Sequence, residues 1–459
     1  MTPRHVAVID IGKTNAKLAL VDLATEAEIA VVTRANTPRA GPPYPHFDVE
    51  GHWNFILDAL AGFHADHGVD AISVTTHGAC AVLLDADGDL AAPVLDYEHD
   101  GPDKVAAAYD AIRPDFAMTG SPRLPGGLNL GAQLHWLFDR DPSLLARTAS
   151  IVTYPQYWGF RLTGALATDV TSLGCHTDLW CPDSGTVSPL VATLGIRGKL
   201  APPRHPMDRL GKLTPAVAAR TGLPAKTSVA CGIHDSNASL FPHLIRREAP
   251  FAVVSTGTWV IALAVGGADV KLDAARDTLM NVAATGQAVR SARFMGGRSY
   301  DLLTAGRHVD PSLAEMEAVV ARRIMLLPSV VAGSGPFPHA GARWINDEPA
   351  EGTGLRAAAV GFHLALMTQT CLSLIGARGP TVVEGAFSRN TAFLTMLAAA
   401  SGRDVIATAS STGTSLGAAL LLSDGRAPHP APQAIVTPPG TAWAEYAAQW
   451  QRTTRHSDA

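Results

Sequence analysis

The chain has 459 residues, about three times the length of a common single domain, so its length predicts two or more domains. Hydrophobic residues make up 47% and charged residues 17%, a balance that supplies large cores and excludes a disordered chain. The formal net charge is −5 without a long basic run, which argues against duplex nucleic acid as the main partner.

The beginning of the sequence alternates short apolar runs with polar turns. Apolar runs at 5–10 and 16–22 flank a five-residue polar turn, and 29–33 has the character of a third strand. Apolar residues at helical spacing follow over 52–67, and 71–75 is a fourth apolar run. The chain is therefore predicted to open with three strands, a helix and a strand.

The middle of the sequence, residues 122–224, is rich in proline, glycine and aromatic residues. Helices are predicted at 127–140 and 155–162, and the region is expected to form insertions over a cleft.

The second half repeats the opening plan. Strands are predicted at 251–254 and 259–265 around a second polar turn, followed by helices and strands at 355–377, 381–383, 391–401, 404–407 and from about Ser415. The repetition predicts two duplicated domains, 1–245 and 246–430, facing a shared cleft, with a C-terminal segment at 431–459. The last dozen residues are expected to be mobile.

Compartment and solubility are also constrained by the sequence. Five cysteines at irregular spacing without a CxxC motif predict neither a disulfide framework nor a zinc knuckle, and favour a reducing cytoplasm. The N-terminus lacks the pattern of a signal peptide, and polar residues interrupt the apolar stretches 251–265 and 357–374. We therefore expect a soluble protein without a membrane span.

The first candidate site is the turn that begins at Asp10. An acid at the end of a buried strand can hold Mg²⁺, and a tight turn with Gly12 offers N–H groups to a phosphate chain. Lys13 or Lys17 could neutralise phosphate charge. The alternative is an ordinary hairpin in which Gly12 supplies an unusual backbone angle, and the turn alone does not decide between them.

This turn does not match a Walker phosphate-binding loop. That motif needs a glycine where Ala7 stands and a helix afterwards, whereas residues 16–22 are strand-like.

Two further segments carry residues suited to phosphoryl transfer. Hydroxyl residues surround Gly257 in the second turn, which suits close approach to phosphate oxygens but also a solvent-exposed hairpin. Asp235 follows the strand-like run 228–231 and could accept a proton from an attacking hydroxyl. It could equally cap a helix, and spacing alone leaves both readings open.

Seven motifs occur in one order along residues 5–423: DIGKTNAKLALVD, TTHG, GIHDSNASL, VSTGTW, FMGGRSYDLL, VVEGAFSRN and TSLGAALLL. In order and spacing the sequence resembles the FGGY carbohydrate kinases, loosely nearest their rhamnulose and fuculose kinase branch. Each motif is weak alone, and the ordered set is specific.

The resemblance implies an α/β fold of two actin-like, ribonuclease-H-like domains with an interdomain cleft that closes on ATP and a small sugar. It implies Asp235 as the catalytic base, and Mg²⁺ near Asp10 and Asp235. The implied nucleotide and phosphate contacts are Gly12, Lys13, Thr14, Asn15, Lys17, Thr256, Gly257, Thr258, Gly297, Asp301, Gly385 and Asn390. The implied sugar contacts are His77, Gly78, Glu98, Asp100 and His234.

The sequence departs from the family pattern in two places. Glu384 replaces the first of two glycines in the adenosine motif, and the sugar-side segment YEHDG lacks its usual arginine. These changes leave the identity of the sugar open more than the type of reaction. The sequence as a whole does not specify the reacting hydroxyl or the oligomeric state, for which a homodimer is one option. His77, His99 and His234 could also be structural, since no HxH or HxxxH pair supports a transition-metal site.

Two other functions fit the same resemblance. An ATPase or phosphohydrolase of the same fold would hydrolyse ATP without sugar, and a sugar sensor would bind sugar without releasing ADP. The intact set of Asp10, Lys13, Thr256 and Asp235 argues against the sensor.

Overall fold

The computed structural model describes residues 3–408, 413–423 and 433–455. They form two compact units. The first comprises the described parts of Met1–Arg246, Met280–Ala288 and Thr412–His429, and the second those of Arg247–Leu279, Val289–Ser411 and Pro430–Ala459. The sequence-based domain boundaries after residues 245 and 430, and the cleft, stay predictions.

Residues up to Arg246 contain the elements of the first unit's sheet and its insertions. The strands are β1 (His5–Ile11), β2 (Asn15–Asp22), β3 (Ala27–Ala35), β4 (Ala71–Thr76), β5 (Ala81–Leu84), β6 (Ser150–Thr153), β7 (Thr168–Asp169), β8 (Trp180–Cys181), β9 (Thr186–Val187), β10 (Pro203–Arg204), β11 (Arg209–Lys212), β12 (Ser228–Ala230) and β13 (Ile233–His234). The helices are α1 (Val49–His67), α2 (Ala106–Asp110), α3 (Phe116–Thr119), α4 (Leu130–Arg140), α5 (Leu144–Arg147), α6 (Tyr154–Thr163), α7 (Val170–Leu173), α8 (Leu190–Thr193), α9 (Pro215–Thr221) and α10 (Asp235–Leu244), with a 3₁₀ turn at Gly101–Val105.

The remaining residues continue the series. The strands are β14 (Phe251–Thr256), β15 (Val260–Val265), β16 (Thr278–Val282), β17 (Ala288–Phe294), β18 (Met325–Leu327), β19 (Arg343–Ile345), β20 (Thr381–Gly385), β21 (Val405–Ala407) and β22 (Ala434–Val436). The helices are α11 (Gly296–Thr304), α12 (Leu313–Arg322), α13 (Gly354–Leu374), α14 (Thr391–Ser401), α15 (Gly413–Leu420) and α16 (Thr441–Arg455), with 3₁₀ turns at Ala274–Arg276 and Ala386–Arg389.

The first unit is built on a seven-stranded mixed sheet in the order β11-β12-β4-β1-β2-β3, with β13 also pairing with β4. Successive side chains of a strand point to opposite faces, and β1 is buried on both. Ala7 and Ile9 belong to the core that includes α1 and α6, whereas Val6 and Val8 belong to the core that includes α10 and α15. A continuous apolar run is what such a two-sided strand requires.

The second unit repeats this plan in a sheet of order β16-β17-β15-β14-β20-β21-β22. In both sheets the first two strands form an antiparallel hairpin, and the first strand also pairs in parallel with a later one, β4 or β20. The predicted duplication of the strand–turn–strand unit is confirmed.

Helix α13 forms the centre of the second unit's core. It is the one helix among residues 3–408, 413–423 and 433–455 that is long and apolar enough to cross a membrane. However, 78% of its most apolar window is buried inside the protein. Its all-round apolar surface therefore marks a core helix.

The C-terminal end differs from its sequence-based expectation. Helix α16 runs to Arg455, and Trp450 is 1% exposed and donates a 2.7 Å hydrogen bond from Nε1 to the carbonyl of Leu326. Mobility was therefore the wrong expectation for residues 448–455, which are helical and contribute Trp450 to a hydrophobic core. The expectation for 456–459 lies outside the described residues.

Candidate functional site

The carboxyl ends of three parallel strands in the first unit bring the main candidate residues to one sheet edge. Asp10 on β1 and Ile233 on β13 both pair with Thr75 of β4. Neighbouring strands are about 4.8 Å apart, so these backbones lie roughly 10 Å apart. His77 follows β4 and Asp235 follows β13, so side chains far apart in sequence meet at this edge.

The surroundings of Asp10 disfavour the ionised form of its carboxyl group. Its side chain is 17% exposed, and burial raises its pKa to about 7. Lys17 Nζ, 4.0 Å away, opposes this shift, while the negative charges of Asp235 and Glu28 reinforce it. A hard divalent cation would relieve the repulsion between such carboxylates and find its preferred oxygen ligands.

Buried side chains hold the turn between β1 and β2 in place. The Asn36 amide donates a 2.7 Å hydrogen bond to the carbonyl of Gly12, and the Asn36 backbone N–H donates to the carbonyl of Thr14 at 2.9 Å. His52 Nε2 lies 2.7 Å from Asn36 Oδ1, and burial lowers the pKa of His52 to about 4. The neutral imidazole thus donates to Asn36, which fixes the turn. Asn15 begins β2.

Lys13 points to the sugar-side segment. Its ammonium forms ion pairs with Asp96 and with Glu98, the latter at 3.1 Å, and lies 4.7 Å from the centre of the Tyr97 ring. Lys17 instead donates to Glu28 at 3.0 Å, beside Asp10. The two lysines therefore form ion pairs with different groups of acids. Their predicted role in binding phosphate stays a prediction.

His77 is enclosed by aromatic rings. The centres of Phe47, Tyr97 and Tyr154 lie 5.1 to 5.3 Å from its own. Burial lowers the pKa of His77 to about 4, partly opposed by its backbone bond to Gly78 and by Asp235. The ring is therefore neutral, and its Nε2 has no hydrogen-bond partner within the described part of the chain.

Asp235 is the first residue of α10, and its side chain is 35% exposed. Its Oδ1 accepts from Ser236 N–H at 2.6 Å and lies 3.4 Å from His234 Nε2. Burial raises the pKa of Tyr97, and the charge of Asp235 adds to that shift. Asp235 thus lies at the start of α10 without forming a side-chain capping bond, since His234 holds the N-cap position, and its charge acts on the sugar-side residue Tyr97.

The other predicted sugar contacts differ in whether they lie next to His77 and His234. A Cβ on Gly78 would lie 2.6 Å from His234 Nε2, so these two residues are adjacent. Asp100 has a 71% exposed side chain that pairs with Lys104 at 3.4 Å. The structure thus groups His77, Gly78 and His234, whereas Glu98, which pairs with Lys13 and is 65% exposed, and Asp100 both have largely exposed side chains.

The second unit contains a cavity of about 450 Å³. It is lined by Gly257, Thr258, Gly297, Tyr300, Asp301, His308, Asp310, Ala386, Phe387, Arg389 and Asn390. Tyr300 and His308 stack with ring centres 5.6 Å apart at 16°. An aromatic wall, open glycine backbone and an arginine suit a planar base carrying phosphates.

Backbone proximity explains two glycines predicted for the nucleotide site, Gly297 in the cavity and Gly385 directly before its lining residue Ala386, whereas Gly257 differs from both. A Cβ on Gly297 would lie 2.1 Å from the Gly257 carbonyl oxygen, and one on Gly385 would lie 2.1 Å from that of Thr256. Around Gly257 the nearest atom to such a Cβ is 3.9 Å away. The fold thus requires the first two glycines, whereas Gly257 leaves open space that a ligand can use.

The side chains of Thr256 and Asn390 also form hydrogen bonds that stabilise the local backbone. The Thr256 hydroxyl donates to the Glu384 carbonyl at 2.5 Å and accepts from Phe387 N–H at 2.9 Å. Asn390 Oδ1 caps α14 by accepting from Phe393 N–H at 3.0 Å. Thr256 therefore shapes the turn after β20, while Asn390 both caps a helix and lines the cavity.

Comparison with known proteins decides the family. Residues 5–242 match the N-terminal domain of the FGGY family of carbohydrate kinases, and residues 248–431 match the carbohydrate kinase FGGY C-terminal domain. The chain belongs to the FGGY family of carbohydrate kinases. The resemblance predicted from seven motifs is confirmed.

Relatives agree with this FGGY membership. L-fuculokinase of Escherichia coli (strain K12) is 27% identical over 283 residues, which are 57% of this chain and 57% of that protein. Rhamnulokinase of Pectobacterium carotovorum is 26% identical over 270 residues, 56% of this chain and 52% of that protein. The matches thus span just over half the length of these curated relatives, on the branch that the sequence predicted.

A solved FGGY-type structure matches the whole chain. A carbohydrate kinase from Novosphingobium aromaticivorans is 38% identical and superposes with a TM-score of 0.91, covering 98% of this chain and 100% of that one. The predicted α/β fold with two actin-like domains is confirmed.

Sequence reasoning missed several residues that line the second-unit cavity or hold the first turn. Tyr300 stands inside the motif FMGGRSYDLL, directly before Asp301, and Phe387 and Arg389 stand inside VVEGAFSRN. These motifs could have suggested them. His308 and Asn36 carry no local signal, because only tertiary packing brings them to the cavity and to the first turn.

Proposed function

We propose that the protein transfers the terminal phosphoryl group of ATP to a hydroxyl of a small neutral sugar, a ketose, deoxyketose or polyol. The observation that carries this proposal is the accessible carboxylate of Asp235 at the sheet edge where Asp10 and His77 also lie, near enough to Tyr97 for its charge to raise the pKa of that phenol. The names of the relatives, L-fuculokinase and rhamnulokinase, support the substrate class without fixing the sugar.

The residues present fit ATP and Mg²⁺. The second-unit cavity offers the Tyr300 ring for a base, while Gly257 and Thr258 offer open backbone for phosphates. Asp10 and Asp235 supply carboxylate oxygens whose mutual repulsion a cation would reduce. When bound, Mg²⁺ would neutralise phosphate charge that develops during transfer.

The chain's own residues perform three tasks in the proposed reaction. Asp235 accepts the proton of the attacking hydroxyl as the new oxygen–phosphorus bond forms and the bond to ADP breaks. The side chains of Glu98, His77 and His234 orient the sugar, and the turn at Gly257 and Thr258 positions the phosphates. Such catalysis depends on positioning and requires water to be excluded, since exposed ATP would be hydrolysed.

The experiment is a coupled ADP-release screen over ketoses, deoxyketoses, aldoses and polyols, with Asp235→Asn as the test variant. We expect one sugar class to stimulate ADP release, and Asp235→Asn to lose roughly 100- to 10,000-fold in kcat while ATP still binds. Asp183→Asn, at an exposed position, is the matched control and should keep full activity.

Each other outcome rejects a stated part of the proposal. ADP release without any sugar would favour an ATPase, and tight sugar binding without ADP release would favour a sensor. A near-normal kcat in Asp235→Asn would remove that residue's assigned role. We further propose a cytoplasmic protein without nucleic-acid or membrane partners, and with a homodimer as one option for its assembly.

A further inference from the structure

Three soft donor groups converge beside the sugar-side residues of the first unit. One ligand atom each from Cys175, His176 and His234 lies within 4.8 Å of the other two. All three side chains are buried, with exposed fractions of 5%, 8% and 4%. A thiolate with two imidazoles is a donor set suited to zinc and related ions, and not to Mg²⁺.

The two histidines are already oriented in the way that metal ligands are. His176 Nδ1 lies 2.6 Å from the carbonyl of Leu128, so Nδ1 carries the hydrogen and Nε2 the lone pair. His234 Nε2 faces Asp235 at 3.4 Å, while its Nδ1 is buried without a hydrogen-bond partner in the described segments. A metal-bound histidine typically donates its other N–H to a carbonyl or carboxylate; His176 already does so, and the Asp235 carboxylate lies 3.4 Å from His234 Nε2.

The segment that carries Cys175 and His176 is firmly held. Asp169 caps α7 by accepting from the backbone N–H groups of Thr171 and Ser172 at 2.8 and 3.1 Å. His176 has a backbone φ of +41°, and its carbonyl accepts from the Asn129 amide at 3.3 Å. The adjacent residues 175 and 176 can therefore both direct their donors to one side.

The unpartnered and buried Nδ1 of His234 is the second observation that points to a ligand. A buried polar atom without a partner costs free energy, which a bound cation would recover. Tetrahedral zinc bonds of about 2.0–2.3 Å hold donors about 3.3–3.8 Å apart, so the cluster needs only a small contraction.

We propose that Cys175, His176 and His234 form a binding site for Zn²⁺ or a similar thiophilic divalent cation, separate from the Mg²⁺ used with ATP. Three protein ligands leave a fourth position for water. When the cation binds, the Cys175 thiol loses its proton to solvent and His234 Nδ1 becomes a ligand. His234 Nε2 then carries the hydrogen, which it donates to Asp235.

One consequence concerns activity and rests on the proposed function. A metal-bound His234 would draw Asp235 into a hydrogen bond with its Nε2–H and would fix the ring next to Gly78, where the proposed sugar contacts lie. Zn²⁺ is therefore expected to inhibit sugar phosphorylation at concentrations where Mg²⁺ activates it.

The experiment titrates the full chain, freed of metal by dialysis against a chelator, with Co²⁺ and then with Zn²⁺. We expect one Co²⁺ per chain, a thiolate-to-cobalt charge-transfer band, and loss of that band on adding Zn²⁺. Cys175→Ser should abolish the band and lower the affinity for Zn²⁺ at least about 100-fold. Removing a residue that only hydrogen-bonds to a metal ligand already lowers metal affinity about 10- to 100-fold. Cys181→Ser, a half-buried thiol outside the cluster, is the matched control.

If Cys175→Ser does not fold, His176→Gln serves as the second variant. It is expected to lower the affinity for Co²⁺ and to keep the thiolate-to-cobalt charge-transfer band. The proposal is overturned if wild type shows no saturable Co²⁺ binding, or if Cys175→Ser and His176→Gln both bind as wild type does. Zn²⁺ inhibition relieved by Cys175→Ser supports the consequence for activity. A chain that phosphorylates no sugar would fail the proposed function, while the cobalt spectrum would still report on the metal site.

Discussion

At the scale of single residues, two carboxylates at the same sheet edge, Asp10 and Asp235, differ in their burial and in the charges around them. Asp10 is largely enclosed by β1, β2 and the acids Glu28 and Asp235, so its charged form is disfavoured. Asp235, with a side chain that is 35% exposed at the start of α10, is accessible to a substrate hydroxyl. The geometry thus suits Asp10 to binding a cation and Asp235 to accepting a proton.

The raised pKa of Asp10 predicts a pH-dependent stability. The folded carboxyl keeps its proton up to about pH 7, whereas the unfolded one loses it near 3.8. Stability is therefore expected to fall as pH rises between these two values, by on the order of 2–4 kcal/mol in total. Asp10→Asn should remove this loss, so its denaturation midpoint should exceed that of wild type at pH 8 and approach it at pH 4.

Urea denaturation at a series of pH values measures this difference. Asp66→Asn, at an exposed position of α1, is the matched control and should show no such trend. An Asp10→Asn variant that is less stable than wild type at pH 8 would contradict the assigned cost of burying the charge.

The open space at Gly257 predicts a selective effect on nucleotide binding. Gly257→Val should leave the fold intact, because the nearest atom to an added Cβ is 3.9 Å away, while the branched side chain would crowd the phosphates. We expect ATP affinity to fall at least about tenfold, or about 1.4 kcal/mol. Calorimetry measures this, with Gly341→Val as a control, since a Cβ there also meets open space but lies outside the cavity.

Unchanged ATP affinity in Gly257→Val would remove this turn from the nucleotide site. Equal losses in both variants would instead point to a general effect of valine in a loop of the second unit.

At the scale of elements, the position of Asp235 depends on how α10 packs against α15. A Cβ on Gly417 of α15 would lie 1.8 Å from the Ala238 carbonyl oxygen and 3.1 Å from Pro242 Cδ. The two helices therefore approach as closely as their backbones allow, and they hold the start of α10 against the sheet.

This close approach predicts that Gly417→Ala destabilises the protein and slows the reaction. Forcing a methyl group into the contact typically costs about 1–3 kcal/mol and would shift α10, which carries Asp235 at its first position. We expect a lower melting temperature and a lower kcat with little change in ATP affinity. The control is Gly62→Ala in α1, where a Cβ meets nothing within 4 Å and the protein should gain about 0.5–1 kcal/mol.

A Gly417→Ala variant as stable and as active as wild type would show that the helices can separate without cost. A loss of stability with normal kcat would show that α10 is positioned by the sheet alone.

The sequence predicted the elements whose apolar pattern is regular. Strand β1 and helix α14 were located within a residue or two, since buried strands and core helices need continuous or periodic apolar residues. The short elements between residues 122 and 224 were largely missed, because they are held by contacts distant in sequence, such as Gln156 donating to the Cys231 carbonyl at 2.9 Å. Lys13 shows the same limit at the site, because its acidic partners lie 83 and 85 residues further along the chain.

At the scale of the whole molecule, the repeated sheet plan gives each of the two units its own set of candidate residues. The acids, histidines and Lys13 of the sugar side belong to the first unit, and the cavity with Gly257, Tyr300 and Asn390 belongs to the second. The proposed reaction requires both ligands, so each unit is expected to bind one of them in its own right.

Hydrogen exchange with single ligands tests this division. A non-hydrolysable ATP analogue should slow exchange in residues 256–258, 296–301 and 386–390, because it fills the second-unit cavity. The sugar found in the ADP-release screen should slow exchange at 77–78, 96–100 and 234–237 instead. Tyr300→Ala is expected to lose the nucleotide-dependent protection and to keep the sugar-dependent protection. Nucleotide protection confined to the first unit would contradict the assignment of the cavity, whichever sugar the protein phosphorylates.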